Sequence, residues 1–336
     1  MNKNVFAANL HAVGDLRYEQ VPLAKCKNDE VLVNIKSCGI CGSDISRVFS
    51  KGTYNFPTII GHEFSGEVSY DPKGELAGKK VVVFPLLPCF QCESCKEKNY
   101  ATCQSYNYYG SRCDGGMSET LPVKRWNLVE LPDNLSFDEG AMCEPVSVAR
   151  HATLKLDIQK DDDVLITGAG PIGIIAGQWA KLMGAKDIYY IDIDSEKIEF
   201  ARKMGFFAYD KGIIVDCFIE GTGFSDALAK GLEAIKPQGK VVLMGNPGKE
   251  ITLEQNSYWH ILRKELSIRG TWNSSFNDIQ NDWRESLIAM AEGKINVKPL
   301  ITHKYPLERC NEAFLMMKNK VEFYSKVILN MNEVAK

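Results

Sequence analysis

Residues 164–173 read Val164-Leu-Ile-Thr-Gly168-Ala-Gly170-Pro-Ile-Gly173, an apolar run that breaks into a glycine turn and reopens as a helix candidate over 172–183. The spacing G-x-G-x-x-G is weak by itself, because short glycine spacings recur by chance and often mark plain turns. Set between a strand and a helix, it has the context that a dinucleotide-binding turn requires. The glycines permit a tight turn and close backbone approach, and the helix N-terminus offers unpaired N–H groups to a pyrophosphate. Beyond Gly173 the next β-run ends in Asp192, whose carboxylate can accept hydrogen bonds from an adenosine ribose. A carboxylate there repels the extra phosphate of NADP, which favours NAD. Asp194 is the alternative carboxylate.

Outward from this turn, strand and helix signals alternate. β-runs at Val164–Thr167, Ile188–Ile191, 213–218, 241–244 and 266–268 enclose helix candidates at 172–183, 195–204 and 226–235. Gly184, Gly205 and the Lys236-Pro237 step supply plausible helix ends. Alternation at this spacing implies parallel βαβ units and a doubly wound sheet. The first 150 residues differ, with short strands at 31–35 and 81–84 and prolines at 57, 72, 85, 88, 122 and 132. Those prolines argue against long helices. After Ser274 come one long helix candidate at 279–292, a proline-containing strand region and a final strand at 326–329. The expected fold class is α/β: a mainly β domain over 1–150, a doubly wound domain inserted over 151–274, and a return to the first domain over 275–336.

Length and composition agree with a two-domain globular protein. The 336 residues are 45% apolar and 25% charged, the ordinary globular mixture. Forty basic residues against 43 acidic ones, a net charge of −3, supply no electrostatic reason for nucleic acid or an anionic membrane as a partner. The longest uncharged stretch, 164–180, contains four glycines and a proline and falls short of the roughly 20 apolar residues of a membrane span. The N-terminus has no sustained apolar segment of the secretory kind. The eleven cysteines are an odd number, which excludes a complete intramolecular disulfide framework. A cytoplasmic location is expected, where clustered cysteines more often bind metal or do chemistry.

Four of those cysteines form one cluster, Cys89-x2-Cys92-x2-Cys95-x7-Cys103. Four thiolates can close a tetrahedron around zinc with no position left for water, which makes a structural site. An iron–sulfur cluster also takes four cysteines, and a redox C-x-x-C pair would leave two of them unexplained. A dispersed set also contains metal donors: Gly39-Ile-Cys41-Gly-Ser43-Asp44, Gly61-His62-Glu63 and Cys143-Glu144-Pro145. Singly these residues say little. Together they supply thiolate, imidazole and carboxylate, the donor types of a zinc site that keeps one position open.

These motifs, in this order, resemble the zinc-dependent medium-chain dehydrogenase/reductase family over essentially the whole chain. The resemblance implies a GroES-like catalytic domain carrying a structural zinc lobe at 89–103, and a Rossmann NAD-binding domain. It implies two zinc ions per chain, the catalytic one held by Cys41, His62 and Glu144 with Glu63 beside the metal or as an alternate ligand, and the structural one by Cys89, Cys92, Cys95 and Cys103. Asp44 is expected to orient a ligand, and Cys143 to belong to the core. Ser43 is expected to accept the alcohol proton; Ser46 stands where many relatives place a relay histidine, so water near Glu63 is a fallback route. For the cofactor, Ile172, Lys197, Thr222 and Asn273 join Gly168, Gly170, Gly173 and Asp192.

The family's polyol dehydrogenases carry glutamate where alcohol dehydrogenases have cysteine, so Glu144 points to a polyol. The segments FPLLPCFQCESC and YYGSRCDGGMSE resemble members acting on a sugar alcohol phosphate. The implied reaction is oxidation of a secondary alcohol to a ketone, galactitol 1-phosphate to tagatose 6-phosphate, with hydride passing to NAD. A phosphate dianion needs a cationic clamp, for which Arg47 and Arg112 are candidates. An unphosphorylated polyol or L-threonine dehydrogenase is the alternative enzyme, and a dinucleotide-binding structural protein without turnover the alternative class. The resemblance also implies a homodimer or homotetramer.

Overall fold

The computed structural model describes residues 4–331. The chain divides into two compact units, Pro145–Ser274 and the pair of segments Met1–Glu144 and Ser275–Lys336. The sequence placed its divides after 150 and after 274. The first divide in the structure falls within the helix Cys143–Leu154.

In Pro145–Ser274, six strands form one parallel sheet. Numbered along the chain, their lateral order is 3-2-1-4-5-6, the arrangement of a dinucleotide fold whose switch point lies beside the first strand. That first strand, Val164–Thr167, is wholly buried, as a central strand covered on both faces must be. Helices Pro171–Leu182, Ser195–Lys203 and Ser225–Ala234 follow the expected order. Instead of ending in a loop at Pro237, the last passes directly into the strand Ile235–Leu243. Ile235 pairs with Val215 and Lys240 with Cys217, so residues 236–239 bulge between them and Pro237 need not donate to the ladder. A further helix, Gln255–Arg263, has no buried residue. Its polar opening Gln255-Asn-Ser concealed it in the sequence.

The other unit centres on a seven-stranded sheet. The strand Glu30–Ile40 is its middle, paired with Glu63–Tyr70, Lys326–Asn330 and Thr120–Lys124. Its core packs Val31, Val33, Ile35 and Ile40 against Phe64, Val68, Phe314 and Leu329. Among the described residues the C-terminal segment holds two α-helices, Asp282–Ala291 and Cys310–Asn319, whereas only the first was expected. The second buries Cys310, Ala313, Phe314, Met316 and Met317, a helical stripe with Asn311, Glu312 and Lys318 on the opposite face. Among the described residues, no helix is long and apolar enough to cross a membrane.

Candidate functional site

The middle strand Glu30–Ile40 ends at Cys41, which caps the short helix Gly42–Ser46. The Cys41 N–H donates to Asp44 Oδ2 at 3.0 Å, which ties the thiol's loop to the Asp44 carboxylate. The other oxygen of Asp44 lies 3.3 Å from His62 Nδ1. His62 precedes the strand Glu63–Tyr70, and Glu63 pairs with Gly39 of the middle strand. A Cβ at Gly39 would sit 2.2 Å from Glu63 Oε2, so only glycine leaves room for the carboxylate. Gly61 takes φ +94°, where a Cβ would also meet Cys38 Sγ at 2.7 Å. These constraints bring one donor atom each from Cys41, His62 and Glu63 within 4.8 Å of one another.

Buried charge dominates this cluster. Lys326 Nζ donates to both oxygens of Glu63, at 2.8 and 2.6 Å. Burial disfavours a charged His62 ring, but Asp44 and Cys41 overcome it and hold the His62 pKa well above its ordinary value. His62 Nδ1 is nevertheless in charge contact with Asp44 without hydrogen-bond geometry. With Nδ1 facing Asp44, Nε2 is the nitrogen left for a metal, and an oriented imidazole of this kind is how protein carboxylates prepare a histidine ligand. Thiolate, imidazole and carboxylate converging on one point fit zinc.

Glu144 stands beside the cluster, outside the three donors that share the 4.8 Å limit. Tyr108 O–H donates to its Oε1 at 3.3 Å, and the Tyr108 ring lies 5.6 Å from the His62 ring. Burial raises the Glu144 pKa to about 7, with His62 opposing the rise and Glu63 adding to it. Cys143 is fully buried.

The two arginines differ. Arg47 donates to Ser43 Oγ at 2.7 Å and to Asp44 Oδ1 at 3.0 Å, so it is committed to the loop that carries Cys41. Arg112 stacks on Tyr54 and Tyr106, with its Cζ 4.1 and 4.5 Å from the ring centroids.

Cys89, Cys92, Cys95 and Cys103 also gather within 4.8 Å, with no disulfide among them. Sulfur pairs 89/95 and 92/103 are each 3.9 Å apart. Zinc–sulfur bonds of about 2.3 Å at tetrahedral angles put sulfur–sulfur edges at about 3.8 Å, so the thiols fit one zinc ion. Phe90 adopts φ +57°, and the N–H groups of Gln91 and Cys92 donate to Cys89 Sγ. Those donors lower the Cys89 pKa to about 6, whereas burial pushes Cys95 to about 12. A divalent cation would reconcile the two by favouring thiolate at every position.

At the glycine turn, Gly168 has φ +91°, and a Cβ at Gly173 would lie 2.0 Å from Gly168 O. Nothing lies within 4 Å of a Cβ built on Gly170, which caps the helix Pro171–Leu182. The backbone here is open to a ligand. Asp192 and Asp194 have separate tasks: Asp192 accepts from Ala169 N at 2.8 Å and Asp194 N at 3.0 Å, while Asp194 caps the helix Ser195–Lys203. Ile172 lies in the first turn of its helix and Lys197 on the next one, both half-buried. Thr222 lies beside Gly168, with its N–H and hydroxyl committed to Glu220 Oε1. Asn273 lies past the strand Ser267–Gly270 with φ +57°.

Lys326 and Tyr108 were missed in the sequence. The only signal for Lys326 was a lysine opening an otherwise apolar strand, Lys326–Asn330, every residue of which is buried. Tyr108 gave none, since its contacts with His62 and Glu144 depend on the turn that follows it.

Two family models match the chain: "Alcohol dehydrogenase GroES-like domain" over residues 27–133 and "Zinc-binding dehydrogenase" over 171–292. The chain is 34% identical over 304 residues to galactitol 1-phosphate 5-dehydrogenase of Escherichia coli K12, covering 85% of this chain and 88% of that one. It is 32% identical to L-idonate 5-dehydrogenase of Vitis vinifera over 337 residues, 92% and 90% of the two chains. The crystal structure of galactitol-1-phosphate dehydrogenase from Escherichia coli aligns with a TM-score of 0.90 at 32% identity, covering 97% of this chain and 100% of that one.

Proposed function

Because the chain belongs to the zinc-binding alcohol dehydrogenase family, we propose that it oxidises a secondary alcohol of a sugar alcohol phosphate with NAD. Galactitol 1-phosphate to tagatose 6-phosphate is the favoured conversion. The observation that carries this reading is the convergence of Cys41, His62 and Glu63 within 4.8 Å. Zinc, when bound, supplies the Lewis acidity that eases loss of an alcohol proton.

The chain's own residues do the rest. Cys41, His62 and either Glu63 or Glu144 would hold the metal, while Asp44 orients His62 and Lys326 balances Glu63. Tyr108 steadies Glu144 and covers one side of His62. Ser43 takes the alcohol proton; its Oγ accepts from Arg47, which leaves its own hydrogen free to donate onward. Cys89, Cys92, Cys95 and Cys103 would hold a second, structural zinc. In the cofactor unit, Gly168, Gly170 and Gly173 seat the pyrophosphate, with Ile172 and Thr222 lining that side. Asp192 and Lys197 face the adenosine ribose, Asn273 contacts the nicotinamide, and the charge of Asp192 selects NAD over NADP. We place the enzyme in the cytoplasm, as a homodimer or homotetramer.

The resemblance to an L-idonate dehydrogenase favours a second reading, a sugar acid with a carboxylate in place of the phosphate. The test is NAD reduction across polyols, polyol phosphates and sugar acids. The highest kcat/KM is expected on galactitol 1-phosphate, and equal efficiency on galactitol would sink the phosphate.

A further inference from the structure

Arg112 is held in an unusual way for a half-buried arginine. Its guanidinium lies between the rings of Tyr54 and Tyr106, with Cζ 4.1 and 4.5 Å from their centroids. Among the described residues, no carboxylate forms an ion pair with it. Among the described residues, its guanidinium N–H groups donate to no protein acceptor. A planar fork of donors with a fixed orientation matches two oxygens of one phosphate.

The backbone of this arginine is tied to Tyr108, which borders the metal cluster. Arg112 N–H donates to Tyr108 O at 3.0 Å, and Tyr108 touches both His62 and Glu144. The Tyr106 ring that supports Arg112 lies 6.3 Å from the Tyr108 ring. On the other side, Tyr54 N–H donates to Ser111 O at 3.1 Å and Asn55 Nδ2 to Arg112 O at 3.3 Å, which anchors the second ring. Tyr54 is 67% exposed, so the stack opens to solvent along one side.

Arg47 lacks these properties. Its NH1 is shared by Ser43 and Asp44, and a phosphate there would be brought up against the Asp44 carboxylate. We propose that Arg112, clamped between Tyr54 and Tyr106, seats the terminal phosphate of the substrate and so determines the preference for a phosphorylated polyol. This rests on the phosphorylated-substrate reading above. It adds the residue that makes the selection, and it removes Arg47 from that task.

The test compares galactitol 1-phosphate, galactitol and L-idonate with the zinc-loaded enzyme and NAD, in the wild type and in Arg112→Gln. Loss of a charge-assisted pair is expected to raise KM for galactitol 1-phosphate about ten- to a hundredfold and to lower the ratio of its efficiency to that on galactitol by a similar factor. Inorganic phosphate, expected to compete with that substrate in the wild type, should lose potency by a similar factor. A wild type equally efficient on galactitol and its phosphate overturns the substrate reading, and this proposal with it. A wild type that prefers the phosphate, with the preference intact in Arg112→Gln, overturns the role of Arg112 alone. A preference for L-idonate that vanishes in Arg112→Gln assigns the fork to a carboxylate and overturns the phosphate. If Arg112→Gln does not fold, Arg112→Lys replaces it, since it keeps the charge and lacks the fork. A KM equal to wild type in Arg112→Lys then overturns the fork.

Discussion

Lys326 and Glu63, 263 residues apart in sequence, form a buried ion pair with both carboxylate oxygens engaged, at 2.8 and 2.6 Å. They belong to strands on opposite sides of Glu30–Ile40. Gly39 pairs with Glu63 on one side and Ile40 with Val327 on the other, so the end of the middle strand brings the two charges together beside Cys41. The pair places a fixed cation next to the metal donors.

Lys326→Met should leave the Glu63 carboxylate buried without its counter-charge. Removing one partner of such a pair costs about 3–5 kcal/mol, and that loss is expected in the zinc-depleted protein. Zinc should offset part of it, so the loaded protein should lose less. Denaturant unfolding with and without chelator measures both. Equal losses in the two forms would show that Glu63 does not sense the metal.

Cys95→Ser removes one buried corner of the four-thiol lobe. Metal analysis should fall from about two zinc ions per chain to about one, and the remaining ion should be the one at Cys41. A content still near two would mean that the lobe closes without Cys95.

Ser43→Ala tests the proton route. Loss of a positioned proton acceptor is expected to slow hydride transfer about a hundredfold in single-turnover measurements, with zinc content unchanged. An unaltered rate removes Ser43 from the mechanism.

Asp192→Asn removes the negative charge and leaves one acceptor oxygen for the two N–H groups of Ala169 and Asp194. Efficiency with NAD should fall about tenfold, the scale of a lost hydrogen bond to a charged group, while the ratio of NADP to NAD efficiency rises. Steady-state kinetics with both cofactors decides it, and an unchanged ratio would show that Asp192 does not choose between them.

The acid limit of the catalytic unit should involve Asp71. Burial acts to raise its pKa, but Arg125 and the N–H groups of Lys73 and Leu76 outweigh it and hold the carboxyl well below the usual range. A depressed folded-state pKa contributes stability that is present above the unfolded value of about 3.9 and lost as pH falls toward the folded one. Thermal unfolding of Asp71→Asn should therefore differ most from wild type above about pH 4, and the gap should close in stronger acid. A gap independent of pH would exclude Asp71.

Chemistry confined to one short stretch could be read directly from the residues. The four cysteines of 89–103 are kept within reach of one ion by their own loops, and Gly168, Gly170 and Gly173 lie on one strand–turn–helix. The inserted doubly wound domain followed from the alternation of apolar runs.

Sequence alone thus determined the four-thiol set, the glycine turn and the fold class, because chain connectivity holds each local motif together. Tertiary structure decided how those parts are used. It separated Asp192 from Asp194, joined Lys326 to Glu63, left Glu144 with Tyr108 beside the three converging donors, and gave Arg47 and Arg112 different surroundings. Each of these depends on strand register and on the packing of turns between distant segments. Hydrophobic periodicity states which face of a strand is buried, but not which charge on another strand will meet it.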